Sequence, residues 1–300
     1  MSLHHHHESD RVVSGKRLLI TLFLNLTITV AEIIGGLLSG SLSLLSDALH
    51  NFSDGIAVVI SYIALRLKQK PQSPRYTFGI KRAQIIAAII NAGVLVIISL
   101  YLFIESYHRF VSPQPIKAQL MISVASIGLV ANMIGTLLLR PGAKGNINIR
   151  SAYLHLLSDA VSSVGVILGG TAIYFWNITW VDPLLTVLIS AYIIRESYLI
   201  LKAALDIVLM ASPSHVSIKD INRALLGVEG INNVHHVHLW QLDEQDIHFE
   251  AHLDITDRLV SETEPLSKTI ATLLHDRFEI THVTIQFECD SCNPKELLHG

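Results

Sequence analysis

The sequence predicts a two-part molecule, with an all-helical membrane domain followed by a water-soluble α+β domain. Three observations carry this. Half of the 300 residues are hydrophobic and 16% are charged, against about 25% in an average soluble domain. The mean hydropathy is +0.47. The charge deficit is uneven: long uncharged stretches fill the chain up to Leu209, and the remainder has the composition of an ordinary soluble sequence.

A helix needs about 20 apolar residues to cross the hydrocarbon layer. Segments at Arg17–Leu38, Leu42–Leu67, Arg82–Tyr107, Ile116–Leu139, Ile149–Trp176 and Val181–Leu209 meet that length, which gives six expected spans. Turn chemistry separates them: Ser39-Gly40-Ser41, Lys70-Pro71-Gln72-Ser73-Pro74, Ser112-Pro113-Gln114-Pro115, Pro141 to Gly145, and Asn177 to Pro183. The domains are expected at 1–16 (an N-terminal tail), 17–210 (membrane) and 211–300 (soluble).

Lys and Arg accumulate on the cytoplasmic side of membrane proteins. Lys16, Arg17, Arg66, Lys68, Lys70, Arg75, Lys81, Arg82, Arg140, Lys144 and Arg150 flank one side, and Arg109 and Lys117 flank the other. Both termini are therefore expected in the cytoplasm, as for a multi-pass protein of a bacterial inner membrane.

From Ser212 onward the pattern changes to an α-β-β-α-β unit: a helix at Ser217–Leu226, strands near Asn233–Leu242 and Ile247–Ile255, a helix at Ser261–Phe278, and a strand at Thr281–Glu288. Ile247, Phe249, Ala251, Leu253 and Ile255 alternate with His248, Glu250, His252 and Asp254, so one face reads as core and the other as polar and histidine-bearing. Val283, Ile285 and Phe287 alternate with Thr284, Gln286 and Glu288 in the same way.

The net charge of −3 supplies no basic field for nucleic acid. Two cysteines, Cys289 and Cys292, cannot form a disulfide framework. Their C-x-x-C spacing is either a pair of reduced thiols or half a zinc site. The run His4 to His7 is either a purification tag or a natural metal-capturing tail.

The chemistry concentrates in two spans. The second contains His50 and Asp54, and the fifth contains His155 and Asp159. Positions i and i+4 of a helix share a face, so each pair presents an imidazole and a carboxylate to one point. Two such helices facing each other supply four ligands. A closed tetrahedral shell of nitrogen and oxygen suits zinc, cobalt or cadmium, because magnesium and calcium prefer all-oxygen shells. Ionisable residues within a bilayer cost about 2.5–3.5 kcal/mol each on insertion scales and are functional by default. Asp47 lies one turn before His50 and is expected to support a metal-bound imidazole through its other nitrogen. Glu32, Asn25, Asn91 and Asn132 either line an ion path or make interhelical hydrogen bonds. Arg195 and Glu196 read as structural charges.

The chain resembles the cation diffusion facilitator family, in particular its zinc-transporting branch. The resemblance spans nearly the whole sequence and rests on Ser41 to His50 with Asp54, on Tyr76-Thr77-Phe78-Gly79, on Tyr153-Leu154-His155 with Asp159, on Asp182-Pro183, and on Val237-His238-Leu239-Trp240. It implies a homodimeric metal–proton antiporter of alternating-access type, with six spans and a cytoplasmic ferredoxin-like domain that binds metal and helps hold the dimer. Its transport ligands carry over to His50, Asp54, His155 and Asp159. Its cytoplasmic ligands carry over to His235, His252, Glu264 and Glu288, with His236 and His238 as alternatives to His235. Ser73 to Lys81 lacks the ligands that some members place in this loop, and Arg140 to Arg150 lacks histidine.

The expected function is export of zinc, and of cobalt and cadmium, in exchange for protons, with zinc also a structural or regulatory ion of the soluble domain. Zinc requires neutral imidazoles and ionised carboxylates, and with ordinary values of about 6.5 for His and 3.9 for Asp the imidazoles are the expected proton carriers. An intramembrane metalloprotease is the competing enzymatic reading. It lacks His-Glu-x-x-His, and a shell closed by four protein ligands leaves no position for an activated water. The expected partners are thus a second copy of the chain, divalent metal ions, protons and lipid, with no nucleic acid.

Overall fold

The computed structural model describes residues 23–68, 73–141, 147–289 and 296–297. The start of the first expected span, His4 to His7 and Cys292 lie outside them. The helices are α1 (Phe23–Ser39), α2 (Leu42–Lys68), α3 (Ala83–Val111), α4 (Ala118–Leu139), α5 (Ile147–Trp176) and α6 (Val181–Val208). After them come α7 (Ile218–Leu226), β1 (Ile231–Gln241), β2 (Ile247–Ile255), α8 (Val260–Phe278) and β3 (His282–Glu288).

Four helices among the described residues are long and apolar enough to cross a membrane: α3, α4, α5 from Ala152, and α6. α1 is apolar but shorter as described. α2 has the length, yet Ser43, Ser46, Asp47, His50, Asn51, Ser53 and Asp54 dilute its hydropathy, because this helix carries half of the polar constellation. Large apolar side chains such as Ile97, Ile104, Val161, Leu168 and Phe175 stand exposed on the helices, which suits lipid as the surrounding solvent.

The chain divides into two compact units, residues 1–62 with 90–200, and residues 63–89 with 201–300. Within the first, Leu44, Met121, Ala125, Val166 and Ile173 of α2, α4 and α5 form a buried cluster. The α1–α2 corner turns at Gly40, whose φ of +75° favours glycine. Its exposed backbone groups are met from elsewhere: Ser39 O accepts from Lys117 N at 2.9 Å, and Gly40 O accepts from Arg109 Nη1. Buried Asp182 on α6 caps α2, its two oxygens accepting from Ser41 Oγ, Leu42 N, Ser43 N and Ser43 Oγ at 2.6, 2.9, 3.2 and 2.6 Å.

In the second unit, β1, β2 and β3 form a sheet in that order, β1–β2 antiparallel and β2–β3 parallel. The parallel pair needs a crossover, and α8 provides it. Leu266, Ile270 and Leu274 recur every four residues along α8 and are buried with Ile221 and Leu225 of α7 against Phe249, Ala251 and Leu253 of the sheet. Ser217 Oγ caps α7 by accepting from Asp220 N at 3.3 Å. β1 carries a bulge between His235 and His238, where His236 adopts φ +52°. The bulge's amides turn away from β2, with His236 N donating to Glu296 O and Val237 N to Leu297 O at 3.1 and 2.9 Å.

Candidate metal centre

The regular geometry of α2 and α5 sets the two His-x-x-x-Asp pairs against each other. His50 Nε2 lies 3.5 Å from Asp54 Oδ2 on its own helix. Across the helix pair, His155 Nε2 lies 3.4 Å from Asp54 Oδ2, and 3.4 Å from Asp159 Oδ2 on its own helix. The two imidazole rings are 6.0 Å apart, centre to centre. One ligand atom each from His50, His155 and Asp159 fall within 4.8 Å of one another. With metal–ligand bonds of about 2.0–2.1 Å, a tetrahedral shell has edges of about 3.3–3.4 Å. The three measured His–Asp separations match edges of that length, while Asp54 approaches His50 and His155 but stands outside the three-residue group.

Donor supply around the four side chains is poor. Asp54 Oδ2, Asp159 Oδ2 and His50 Nδ1 are buried and accept or donate no hydrogen bond among the described residues. Buried polar atoms are ordinarily satisfied, and two carboxylate oxygens converging on two imidazoles form a group that could hold a cation. Access is one-sided. Asp54 and His155 are 34% and 33% exposed, whereas Asp159 is 3% exposed. Asp54 lies further along α2 than His50, and His155 precedes Asp159 on α5, so the opening faces the end of the bundle where α2 finishes and α5 begins. Toward the other end Leu44, Ser46, Ala48 and Val166 are fully buried.

Asp47 Oδ1 accepts from Ser162 Oγ of α5 at 2.6 Å, which ties the two ligand helices together beside the site. Tyr192 of α6 meets the His50 ring edge-on at 6.1 Å. Glu32 Oε2 accepts from Asn51 Nδ2 at 3.1 Å, and Asn91 Nδ2 donates to Ser53 Oγ at 2.8 Å, the second being the interhelical bond expected of it. Arg195 and Glu196 pair with each other.

A second His/Glu group forms where β1, β2 and β3 meet. His235 Nε2 and His252 Nδ1 approach the two oxygens of Glu288 at 3.3 and 2.8 Å, and Gln286 Nε2 donates to Glu288 Oε1 at 2.7 Å. Of the three nearby histidines, His235 is the one grouped with His252 and Glu288. His236, thrown out by the bulge, stacks on His252 at 4.6 Å. Glu264 is not brought to this group; it is exposed on α8 and pairs with Lys268 Nζ at 2.7 Å. Cys289 follows Glu288 and is exposed.

Sequence reasoning missed a further cluster. Phe78, from the α2–α3 connection, meets Trp240 and His248 edge-on at 6.2 and 5.6 Å, Trp240 stacks on His248 at 4.4 Å, and Lys81 pairs with Asp246 at 2.5 Å. His248 also meets His282 at 4.6 Å. Burial first, and then the neighbouring His282, lowers the pKa of His248 from its ordinary value. The aromatic residue of Tyr76-Thr77-Phe78-Gly79 was visible in the sequence, but its partners were not.

Residues 18–209 match the cation efflux transmembrane domain, and residues 213–290 match the cytoplasmic domain of cation efflux proteins. The chain is 37% identical over 294 residues to the cadmium, cobalt and zinc/H(+)-K(+) antiporter of Bacillus subtilis, covering 97% of this chain and 93% of that one. It is 34% identical over 287 residues to the metal cation efflux system protein CzcD of Cupriavidus metallidurans, covering 95% and 90%. It is 32% identical over 298 residues to the zinc transporter ZitB of Escherichia coli, covering 98% and 94%.

Proposed function

The chain belongs to the cation efflux family, and from that premise we propose that it exports zinc, with cobalt and cadmium as further substrates, in exchange for protons by alternating access. The names of its relatives support a divalent-metal exporter, a membrane transporter rather than an enzyme. The observation that supports the specific reading is the tetrad: three His–Asp separations of 3.4–3.5 Å among His50, Asp54, His155 and Asp159 suit the edges of a tetrahedral shell for the transported ion. Two imidazoles set the preference for borderline ions over magnesium and calcium.

The mechanism follows from competition at those four side chains. Metal requires the imidazoles neutral and the carboxylates ionised, so protons and metal exclude each other. In the proposed orientation, with six spans and both termini in the cytoplasm of a bacterial cell, the exposed end at Asp54 and His155 faces the cytoplasm. Zinc enters there, displacing protons. The buried packing around Leu44 and Val166 closes the far side. Reversal of that closure exposes the loaded tetrad to the outside, where protonation expels the ion, and the protonated site returns.

The division into a membrane domain (17–210) and a ferredoxin-like cytoplasmic domain (211–300) is part of the same reading, supported by the two family matches. The cytoplasmic domain pairs two copies into a homodimer. His235, His252 and Glu288 fit three positions of a resident zinc site: two imidazoles and a carboxylate converge, and His235 Nδ1 is buried without a partner. Cys289 and Cys292 are candidates to complete it. Bound there, zinc would supply a cross-link between β1, β2 and β3.

Sealed vesicles containing the purified chain test the main reading. An outwardly directed zinc gradient opposed by an imposed pH gradient separates a proton antiporter, which moves zinc uphill, from a passive channel, which does not. Downhill zinc movement alone, unaffected by the pH gradient, would overturn the antiport reading.

A further inference from the structure

A second group of buried polar atoms lies beside the metal tetrad and is unlike it in chemistry. Glu32 of α1 is 1% exposed, as are Asn51 of α2 and Asn132 of α4, and Asn25 of α1 is 8% exposed. Glu32 Oε2 holds Asn51 Nδ2. The other oxygens, Glu32 Oε1, Asn51 Oδ1, Asn132 Oδ1 and Asn25 Oδ1, have no hydrogen-bond partner among the described residues, and neither does the one amide donor Asn132 Nδ2. Unsatisfied buried amide and carboxylate oxygens cost on the order of 1–3 kcal/mol each, so several together on facing helices call for an occupant.

Their placement forms a seam. A Cβ added at Gly128 of α4 would overlap Glu32 Oε1 and approach Ile28 Cγ2 to 3.5 Å; Gly128 is therefore the gap in α4 into which the Glu32 carboxylate fits. Asn132 lies one turn from Gly128 on the same face of α4, and Asn25 lies two turns from Glu32 on the same face of α1. Both displacements run toward the same end of the bundle, because α1 and α4 run in opposite directions in the proposed topology. Gly35 brings the helices together again at the other end, where its Cβ would meet Val124.

We infer that this seam binds a dehydrated monovalent alkali cation, sodium or potassium, held by Glu32, Asn51 and Asn132, with Asn25 on its path. The inference deepens the proposed transport function and rests on it for its role, though not for its test. The donor set is all oxygen, which suits hard ions and gives zinc, cobalt or cadmium no nitrogen or sulfur to prefer. Its formal charge is that of one carboxylate. A monovalent ion neutralises that carboxylate, the one formally charged group of the seam itself. A proton on Glu32 neutralises the charge too, but one O–H can satisfy only one of the remaining oxygens. Asn51 is the residue after His50, so an ion in the seam fixes the same turn of α2 that presents the first metal ligand. The ion therefore acts as a counter-ion whose occupancy positions the tetrad.

The test is thermal unfolding of the full chain in detergent, with sodium, potassium and choline chlorides exchanged at constant ionic strength and pH, zinc excluded by a chelator. An ion that binds the folded state alone raises the melting temperature saturably, on the order of 3 °C at ten times its dissociation constant. The expected result is such a rise with sodium or potassium over choline; the ion that saturates first identifies the occupant. The rise should persist in His155→Ala, which removes a tetrad ligand, and disappear in Asn132→Leu and in Glu32→Gln. If Asn132→Leu does not fold, Asn132→Ser provides the same comparison with less change in packing. Equal melting in all three salts, as expected of trapped water or of a proton alone, overturns the proposal, and so does a rise that survives Glu32→Gln and Asn132→Ser. Because the readout is stability and not transport, failure here leaves metal export standing, and failure of export leaves this result interpretable.

Discussion

Replacing Asp182 with Asn should loosen the end of α2 and lower both stability and transport. The carboxylate is fully buried and lies at two helix N-termini at once, in the first turn of its own α6 and over the first turn of α2. Its Oδ1 accepts from Ser41 Oγ, Ser43 N and Ser43 Oγ, and its Oδ2 accepts from Leu42 N. An Asn oriented to keep the first three bonds presents an amide N–H group to the Leu42 N–H. One hydrogen bond to a charged acceptor is lost, about 1.5–3 kcal/mol. The negative charge is lost from two positive helix ends, roughly 0.5–1 kcal/mol each. The total is about 3–5 kcal/mol. At ~2 °C per kcal/mol for a helical domain of this size, the melting temperature should fall by roughly 6–10 °C. Transport should fall with it, because α2 carries His50 and Asp54. Thermal unfolding in detergent and zinc uptake by vesicles provide the two readouts. A melting temperature within about 2 °C of the parent refutes the capping account. Lost transport with unchanged melting would assign the carboxylate to the transport cycle instead.

Three further predictions follow from the sites. Asp159→Ala and His155→Ala should abolish zinc transport while leaving the protein folded and dimeric, since Asp159 Oδ2 makes no hydrogen bond that the fold would lose; near-parental transport by Asp159→Ala in vesicles counts against the tetrad. In the cytoplasmic domain, His252→Ala should remove zinc from the full chain at equilibrium, measured by titration calorimetry with the tetrad disabled, whereas Glu264→Ala should leave it bound, because Glu264 is paired with Lys268 away from the group. His248 has a pKa lowered by burial and by His282, so the unfolded chain takes up its proton first as pH falls. The stability this histidine contributes is full above its ordinary value of about 6.5 and is lost as pH falls below it toward the depressed folded value. His248→Phe should therefore melt with less loss than the parent between pH 7.5 and 5.5, and an equal loss in the two proteins removes His248 as the cause.

What could be read from the sequence was whatever depends on local periodicity. The break between α1 and α2 is a glycine with a positive φ, and the strand pattern of Ile247 to Ile255 returned a buried set at each odd position. His50 with Asp54 and His155 with Asp159 were legible because helical geometry alone puts i and i+4 together. What escaped depends on distant partners. The β1 bulge rotates His236 out and leaves His235 facing Glu288, and no alternation rule anticipates a bulge held by Glu296 and Leu297. Asp47 was read against the histidine one turn away on its own helix, and its hydrogen bond to Ser162, 115 residues distant, was not visible there. Phe78 and Lys81 find Trp240, His248 and Asp246 more than 150 residues later. The pairing of Glu264 with Lys268, four residues on along α8, was likewise not anticipated, because a helix surface gives no register by which to carry over a ligand.

Gly128 joins these two kinds of information, because in sequence it is an unremarked small residue inside an apolar helix and in space it makes room for the Glu32 carboxylate. Taken locally, Gly128→Ala should stabilise α4 by about 1 kcal/mol, since alanine loses less backbone entropy in a helix. Taken spatially, the added methyl overlaps Glu32 Oε1 and must displace it. The displaced group is the far end of a flexible side chain, so the helices need not separate, but moving it breaks the bond to Asn51 Nδ2 at 3.1 Å, worth about 1.5–3 kcal/mol for a charged acceptor. The spatial effect exceeds the local one. Gly128→Ala should therefore be roughly 0.5–2 kcal/mol less stable than the parent, and Gly128→Ala combined with Glu32→Ala should recover the helix-propensity gain relative to Glu32→Ala alone. A double-mutant cycle of melting in detergent measures this coupling directly. Additive effects of the two substitutions would mean that Gly128 and Glu32 do not meet, and would remove the fitted carboxylate from the seam.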